Sequence, residues 1–265
     1  MIDKNKQDKR IRPRKKLGQN WLTDQNILRK IIQAAEIQKT DNVLEVGPGQ
    51  GVLTIELDKL AGKVLAVEKD RFLLEDLFQM EWQKTEFIEA DILKFSEADL
   101  KKHFKSKPYK IVANLPYNIT SKFFRKFLEQ KYQPEEMLIM IQKEVGERIV
   151  NQNEMNLLAL SVNFFAEPKI LFTVKRTCFF PSPNVDSVVI KLSNIKTNKY
   201  KVKAESFFSV VKAGFASKRK LLISNLKKVS KNDLKPIFEK LNFDLNIRAE
   251  ELSIDDWVKL VQNIE

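Results

Sequence analysis

The chain is poor in the residues that most often build metal centres and nucleophilic catalytic pairs. One cysteine, Cys178, and one histidine, His103, occur in 265 residues. That usage excludes internal disulfides, a His/Cys metal cluster of useful size, and catalytic pairs drawn from several His or Cys candidates. It fits a reducing, cytoplasmic setting. His103 falls in Lys101-Lys102-His103-Phe104-Lys105, where an exposed loop or helix position is expected rather than a catalyst. Long apolar runs are missing too. The densest, Met137-Leu138-Ile139-Met140-Ile141, falls far short of the roughly 18 residues that a membrane span needs, so a soluble protein is expected. The first residues carry charges throughout without an apolar stretch, unlike a secretory signal. With 43% hydrophobic residues the chain can bury a full core, as one large domain or a large one with a small companion.

What is abundant is positive charge, and it is unevenly placed. The formal net charge is +12. Residues 1–16 hold eight basic side chains, Lys15 and Lys16 among them, against Asp3 and Asp8. Residues 191–231 hold twelve, including Lys218-Arg219-Lys220 and Lys227-Lys228, against Glu205 alone. The remainder is therefore mildly acidic. Two basic blocks around an acidic body are the pattern of a polyanion binder that neutralises phosphates from two sides. For the N-terminal block alone, a solvated tail accounts for the charge equally well.

Through the first two thirds, apolar runs alternate with segments of helical spacing. Strands are expected at 42–46, 63–67, 86–89, 109–113 and 137–141, with helices at 54–60, 71–78 and 121–128 between them. Such alternation implies βαβ units: an α/β, doubly wound, mostly parallel sheet with helices on both faces. Two further strand-like pieces, 170–174 and 187–192, follow each other without a helix. They are expected to form an antiparallel hairpin at the sheet edge, with Pro181 and Pro183 in its long turn. Beyond Ser193 no strand pattern recurs. Phe207, Val211, Phe215, Leu222 and Leu226 fall on one helical stripe, with Lys212, Arg219 and Lys220 elsewhere around it. The expected organisation is a basic arm over 1–16, a catalytic domain over 17–195 and a small all-α domain over 196–265, where Ser253 looks like an N-cap.

Glycine is scarce, seven in all, yet three stand in Gly47-Pro48-Gly49-Gln50-Gly51 directly after the first main strand. Glycines there let the backbone approach a ligand at the C-terminal edge of the sheet, where open α/β folds bind their ligands. The spacing is not that of a dinucleotide fingerprint, and no Lys-Ser or Lys-Thr follows as in a phosphate loop. Glu68 closes the second strand about twenty residues on, where an acid accepts both ribose hydroxyls. Asp91 follows the third strand, placed to accept from an adenine amino group. A glycine turn, a ribose acid and an adenine acid without a pyrophosphate cradle point to S-adenosylmethionine.

Asn114-Leu115-Pro116-Tyr117 follows the apolar run Ile111-Val112-Ala113. An exocyclic adenine amino group is a poor nucleophile because its lone pair is delocalised into the ring. Carbonyl oxygens accepting its N–H bonds draw the nitrogen toward tetrahedral geometry, and a flat aromatic ring holds the base by stacking. These four residues offer both features at a strand end. Taken alone they also read as a turn with a buried Tyr.

Several blocks together resemble one family, the ribosomal RNA small-subunit adenine N6,N6-dimethyltransferases of the KsgA/RsmA type. They are 17–22, 43–54, 67–70, 89–93, 114–120, 142–148 and 179–187, with weaker likeness at Lys218-Arg219-Lys220, Asn225-Leu226 and 248–253. The resemblance implies a class I, Rossmann-like methyltransferase fold. It implies that Asn20, Leu22, Gly47, Gly49, Glu68, Asp91 and Asn114 contact S-adenosylmethionine. Asn114, Leu115, Pro116 and Tyr117 would form the target-adenine site, with Phe179 stacking on the other face of the base. Lys15, Lys16, Lys218, Arg219 and Lys220 would contact RNA. The implied reaction dimethylates two adjacent adenosines in the 3′-terminal hairpin of 16S rRNA within an immature 30S subunit, by a monomer using neither metal nor membrane. Trp21 stands where the family usually has Phe, Leu157-Leu158 where it commonly has Tyr-Gly, and Leu221 and Ser224 replace more polar residues. Rival readings are an Erm-type 23S rRNA methyltransferase, a ribosome-assembly factor with secondary methylation, and a DNA adenine methyltransferase. The first usually carries Ile where Leu115 stands, and the last Asp where Asn114 stands.

Overall fold

The computed structural model describes residues 13–14, 18–197, 199–227, 229–230 and 233–264. They form two compact units that interleave along the chain. The first comprises residues up to 123 with 134–143 and 171–191; the second comprises 124–133, 144–170 and the residues from 192 onward. The chain last enters the second unit at Leu192. Two earlier segments belong to that unit as well.

A seven-stranded sheet lies mainly in the first unit. Its strands are β2 (Asn42–Val46), β3 (Lys63–Glu68), β4 (Thr85–Glu89), β5 (Lys110–Asn114), β6 (Glu136–Gln142), β7 (Glu167–Val174) and β9 (Ser187–Ser193), in the order β4-β3-β2-β5-β6-β9-β7. Helices α1 (Gln25–Ala35), α2 (Val52–Leu60), α3 (Arg71–Leu77) and α4 (Glu97–Phe104) accompany it, and α5 (Thr120–Glu129) begins in this unit. Strands β4, β3, β2, β5 and β6 pair in parallel. Val43, Leu44, Val64, Leu65, Ala66 and Ile111 are all fully buried. A parallel sheet covered on both faces needs such unbroken apolar runs, which is why these segments are legible as strands without polar alternation. The sequence reverses from β2 outward on either side, toward β3 and toward β5, so the strand ends around β2 and β5 form the switch point of the sheet.

Local chemistry sets the helix ends. Asp24 starts α1 by accepting from the N–H groups of Asn26 and Ile27 at 2.8 and 3.0 Å, and Ser96 with Asp99 closes a capping box on α4. His103, expected to be exposed, is partly buried on α4. Its Nδ1 lies 3.0 Å from Glu86 Oε1, and its ring stacks on Phe95.

The segment between β7 and β9 is more than a turn. It contributes strand β8 (Phe179–Phe180), which pairs antiparallel with β1 (Trp21–Leu22) in a separate two-stranded ribbon. Trp21 stands opposite Phe180, and Leu22 opposite Phe179.

The second unit is helical, with α6 (Lys143–Val150) entering it and α7 (Leu157–Phe165), α8 (Ala204–Gly214), α9 (Leu222–Leu226), α10 (Lys235–Lys240) and α11 (Ile254–Ile264) within it. Phe164 and Phe207 stack at 4.2 Å, and Trp257 is fully buried. The single stripe expected from Phe207 to Leu226 is divided between α8 and α9. A Cβ on Gly214 would meet the Trp257 ring at 2.4 Å, so α8 ends with its last turn pressed on that indole. Asn225 Nδ2 then donates to the carbonyls of Gly214 and Ser217, at 2.6 and 3.0 Å, satisfying the helix end. Ser253 caps α11 as expected, in a reciprocal pair with Asp256.

Candidate active site

A cavity of about 210 Å³ opens at the C-terminal ends of the parallel strands in the first unit. Its wall contains Gly18, Asn20 and Trp21 from the N-terminal segment, Gly47 and Gly49 after β2, Glu68 and Lys69 after β3, Asp91 after β4, and Asn114 to Ile119 after β5. A smaller cavity of about 40 Å³ adjoins it and shares Trp21, Gly47, Gly49 and Asn114. Leu22 lines this smaller cavity. Residues that are far apart in the sequence thus meet because parallel strands deliver all their C-terminal ends to one edge.

The glycine turn shapes the floor. Gly49 has φ +59°, and a Cβ there would press on the Trp21 indole at 3.3 Å. Gly51, at φ +80°, opens α2, and a Cβ would overlap Leu77 at 2.6 Å. Both positions favour glycine on backbone conformation.

Glu68 is held from three sides by backbone N–H groups. Oε1 accepts from Lys69 and Asp70 at 2.7 and 2.9 Å, and Oε2 accepts from Gly49 at 3.2 Å. Burial nevertheless dominates and raises its pKa, with Asp70 adding repulsion. Asp91 behaves oppositely. Its Oδ2 lies 2.9 Å from Lys69 Nζ, and that contact holds its carboxyl below the usual carboxylate range.

Asn114 ends β5 with its carboxamide already half committed. Nδ2 donates to the Asn20 carbonyl at 3.1 Å, so the oxygen of the same amide remains the acceptor at the cavity wall. Leu115 is buried, its N–H donating to the Met140 carbonyl at 3.2 Å. Pro116 leads into a short 3₁₀ turn over Tyr117–Ile119. The half-buried Tyr117 ring is fixed at its far end by a 2.8 Å hydrogen bond between its hydroxyl and Ser187 Oγ. Burial raises the phenol pKa, so it stays protonated at neutral pH.

Of the expected site residues, the structure brings Asn20, Gly47, Gly49, Glu68, Asp91, Asn114, Leu115, Pro116 and Tyr117 around one cavity, with Leu22 in its neighbour. Phe179 lines neither. It is 4% exposed and packs into the core with Leu22, Leu28 and Val174, while the adjacent Phe180 is 60% exposed. Lys218, Arg219 and Lys220 are exposed on the turn between α8 and α9, not on a helix as the stripe implied. Lys15 and Lys16 lie outside the described residues, as does most of the 1–16 arm.

Residues that the sequence did not single out complete the site. Gln19 donates to Asp70 at 3.0 Å, and Arg14 reaches the same carboxylate at 3.4 Å while lying over the Phe72 ring. Glu45, buried inside β2, also lines the smaller cavity. Its carboxyl is pushed up to about 8 by burial. Among the described residues no group of His, Cys, Asp and Glu could hold a metal ion, and no helix is long and apolar enough to cross a membrane.

Known proteins converge on the same reading. The chain is 41% identical over 257 residues to a ribosomal RNA small subunit methyltransferase A of Dehalococcoides mccartyi, covering 94% of this chain and 88% of that protein. It is 39% identical to one from Fusobacterium nucleatum, covering 95% and 97%. A dimethyladenosine transferase from Plasmodium falciparum superposes with a TM-score of 0.75 at 26% identity over 91% of this chain and 96% of that one. The 23S rRNA methyltransferase ErmE shares the fold, with a TM-score of 0.72 at 22% identity, over 92% of this chain and 99% of that one. Residues 10–265 match the family described as ribosomal RNA adenine dimethylase, and the chain belongs to that family.

Proposed function

We propose that the chain transfers methyl groups from S-adenosylmethionine to N6 of two adjacent adenosines in the 3′-terminal hairpin of 16S rRNA, acting as a monomer on an immature small subunit in the cytoplasm. The observation that carries this reading is the Asn114 carboxamide. Its nitrogen is spent on Asn20 and its oxygen is left at a cavity that also contains Glu68 and Asp91.

The fit of the cofactor rests on the donor set. Buried Glu68 offers carboxylate lone pairs to ribose hydroxyls, Asp91 offers an acceptor to an adenine amino group, and Gly47 and Gly49 let the backbone approach. When bound, the cofactor supplies an electrophilic methyl on a sulfonium.

The protein's own part is to present and polarise the amino group. A target adenine drawn out of its stack rests on the Tyr117 ring; the buried Phe179 ring, packed in the core, does not reach its other face. The amino protons face the Asn114 Oδ1 and Leu115 carbonyl oxygens, which localises the lone pair on nitrogen. No side-chain base is needed, because the methylated nitrogen is strongly acidic and releases its proton readily. A second transfer needs only one remaining N–H, so two acceptors suffice for dimethylation. Exposed Lys218, Arg219 and Lys220, with Lys15 and Lys16, neutralise rRNA phosphates.

The test supplies the purified protein and methyl-labelled S-adenosylmethionine to 30S subunits lacking the modification. Label on two neighbouring adenosines of the 3′ hairpin supports the reading. Label elsewhere in the subunit's rRNA, or none, overturns it.

A further inference from the structure

The two residues of β8 face opposite ways. Residues directly opposite in an antiparallel pair project to the same side, and successive residues project to opposite sides. Phe179 therefore shares a side with Leu22, and both are buried in one core cluster. Phe180 shares the other side with Trp21, which stands in the wall of the 210 Å³ cavity together with Asn114 and Tyr117. Phe180 itself lines neither cavity and is 60% exposed. A lone Phe on a surface is ordinary. This one stands beside the cavity wall, in a loop that also carries a free cation. The Arg176 carbonyl accepts from the Phe179 N–H and, at 2.9 Å, from the Ser182 hydroxyl, so the chain on both sides of Phe180 is drawn to Arg176. Neighbouring Lys175 is held by Asp186 at 3.0 Å. Arg176 is exposed, and its guanidinium is in no ion pair among the described residues.

An exposed aromatic face and an unpaired guanidinium in one loop suit an unstacked nucleotide, the ring taking the base and the cation the phosphate. The substrate supplies such a nucleotide. Its two adenosines are adjacent, so when one is turned out of its stack against Tyr117 the other loses a stacking partner and is left beside the cavity. We propose that Phe180 stacks on this neighbouring base, with Arg176 on its phosphate, and so holds the second adenosine while the first is methylated. The proposal rests on the 16S reading and adds to it a second nucleotide site outside the cavity. Stacking reads a flat ring rather than donors and acceptors. Phe180 therefore requires that a base be present next to the target, a demand that Asn114 and Tyr117 do not make.

The test is a cycle that removes either the ring or the base. Small subunits are reconstituted with 16S rRNA in which one adenosine of the pair is kept and the other is an abasic nucleotide, in both arrangements. The kcat/KM for methylation is then measured for wild type and Phe180→Ala. Stacking of ordinary strength predicts that, in at least one arrangement, loss of the neighbouring base costs wild type about tenfold and Phe180→Ala less than twofold. On the intact pair Phe180→Ala should be about tenfold slower than wild type, and Phe180→Trp should restore most of the rate. Arg176→Gln should raise KM severalfold and reduce the salt dependence of binding. Phe180 is exposed, so its removal leaves the core whole, and affinity for S-adenosylhomocysteine should stay the same in all three variants. Equal losses for wild type and Phe180→Ala in both arrangements overturn the proposal. A cofactor affinity that falls along with the rate also overturns it, because Phe180 would then act only by supporting Trp21. A wild type inactive on intact subunits overturns the 16S reading, and this proposal with it.

Discussion

The Tyr117 hydroxyl and Ser187 Oγ lie 2.8 Å apart, joining the turn after β5 to the first residue of β9. Ser187 is fully buried, and Tyr117 also has its carbonyl engaged by the Thr120 hydroxyl at 3.2 Å. The ring is therefore held at both ends. A stacking surface that is fixed before the base arrives loses little entropy when it is used. This contact also explains how the residues after Pro183 serve the site, although they lie some seventy positions from Tyr117.

Replacing Ser187 by Ala leaves the phenol without its partner and the ring free to tilt. The expected result is a fall in kcat of about tenfold, the size of one lost hydrogen bond of roughly 1.4 kcal/mol, with S-adenosylhomocysteine affinity unchanged. Ser187→Thr, which keeps the hydroxyl, restores part of the loss. Single-turnover methylation together with cofactor titration checks both statements.

Asn114→Ala removes the acceptor at the cavity wall and the donor to the Asn20 carbonyl. Turnover should drop by at least about a hundredfold, in line with the loss of one preorganised group aimed at developing charge. Affinity for the RNA should stay within about twofold, since phosphate contacts set it. A normal single-turnover rate in this variant would remove the carboxamide from the mechanism.

Cofactor affinity should depend on pH through Glu68. Burial raises its pKa above the ordinary 4.5, and only the ionised form accepts two hydroxyl donors. Affinity therefore falls as pH drops, and the fall begins above the usual carboxylate range. Asp91, held low by Lys69, stays ionised over that window and contributes no step there. Glu68→Gln should bind more weakly at pH 7 and show no such decline, as measured by calorimetry between pH 5 and 8 (about one decade of affinity per unit once the group is protonated).

Reversing charge at Lys218 and Arg219 tests the turn between α8 and α9. Both are exposed, and neither sits in an ion pair among the described residues. Lys218→Glu with Arg219→Glu should weaken binding to small-subunit RNA and lower the slope of log affinity against log salt by about two. The methylation rate at saturating RNA should change little. An unchanged slope would take this turn out of the RNA interface.

The amino-acid sequence determined the β–α alternation, the glycine turn, the acids at strand ends and Asn114-Leu115-Pro116-Tyr117, because each is encoded within a few neighbouring residues. Buried parallel strands declare themselves as apolar runs, and a positive φ demands glycine whatever lies around it. Only the tertiary structure decided the partnerships between distant segments. Trp21 meets the glycine turn, Ser187 meets Tyr117, and Phe179 turns into the core beside Leu22 while its neighbour Phe180 is exposed. The stripe from Phe207 to Leu226 kept helical spacing, yet the indole of Trp257 and the carboxamide of Asn225 end α8 at Gly214. The physical reason is the same in each case. Periodicity records which face of a segment is apolar, whereas burial, hydrogen bonding and charge at a site depend on groups that are brought close only when the chain folds.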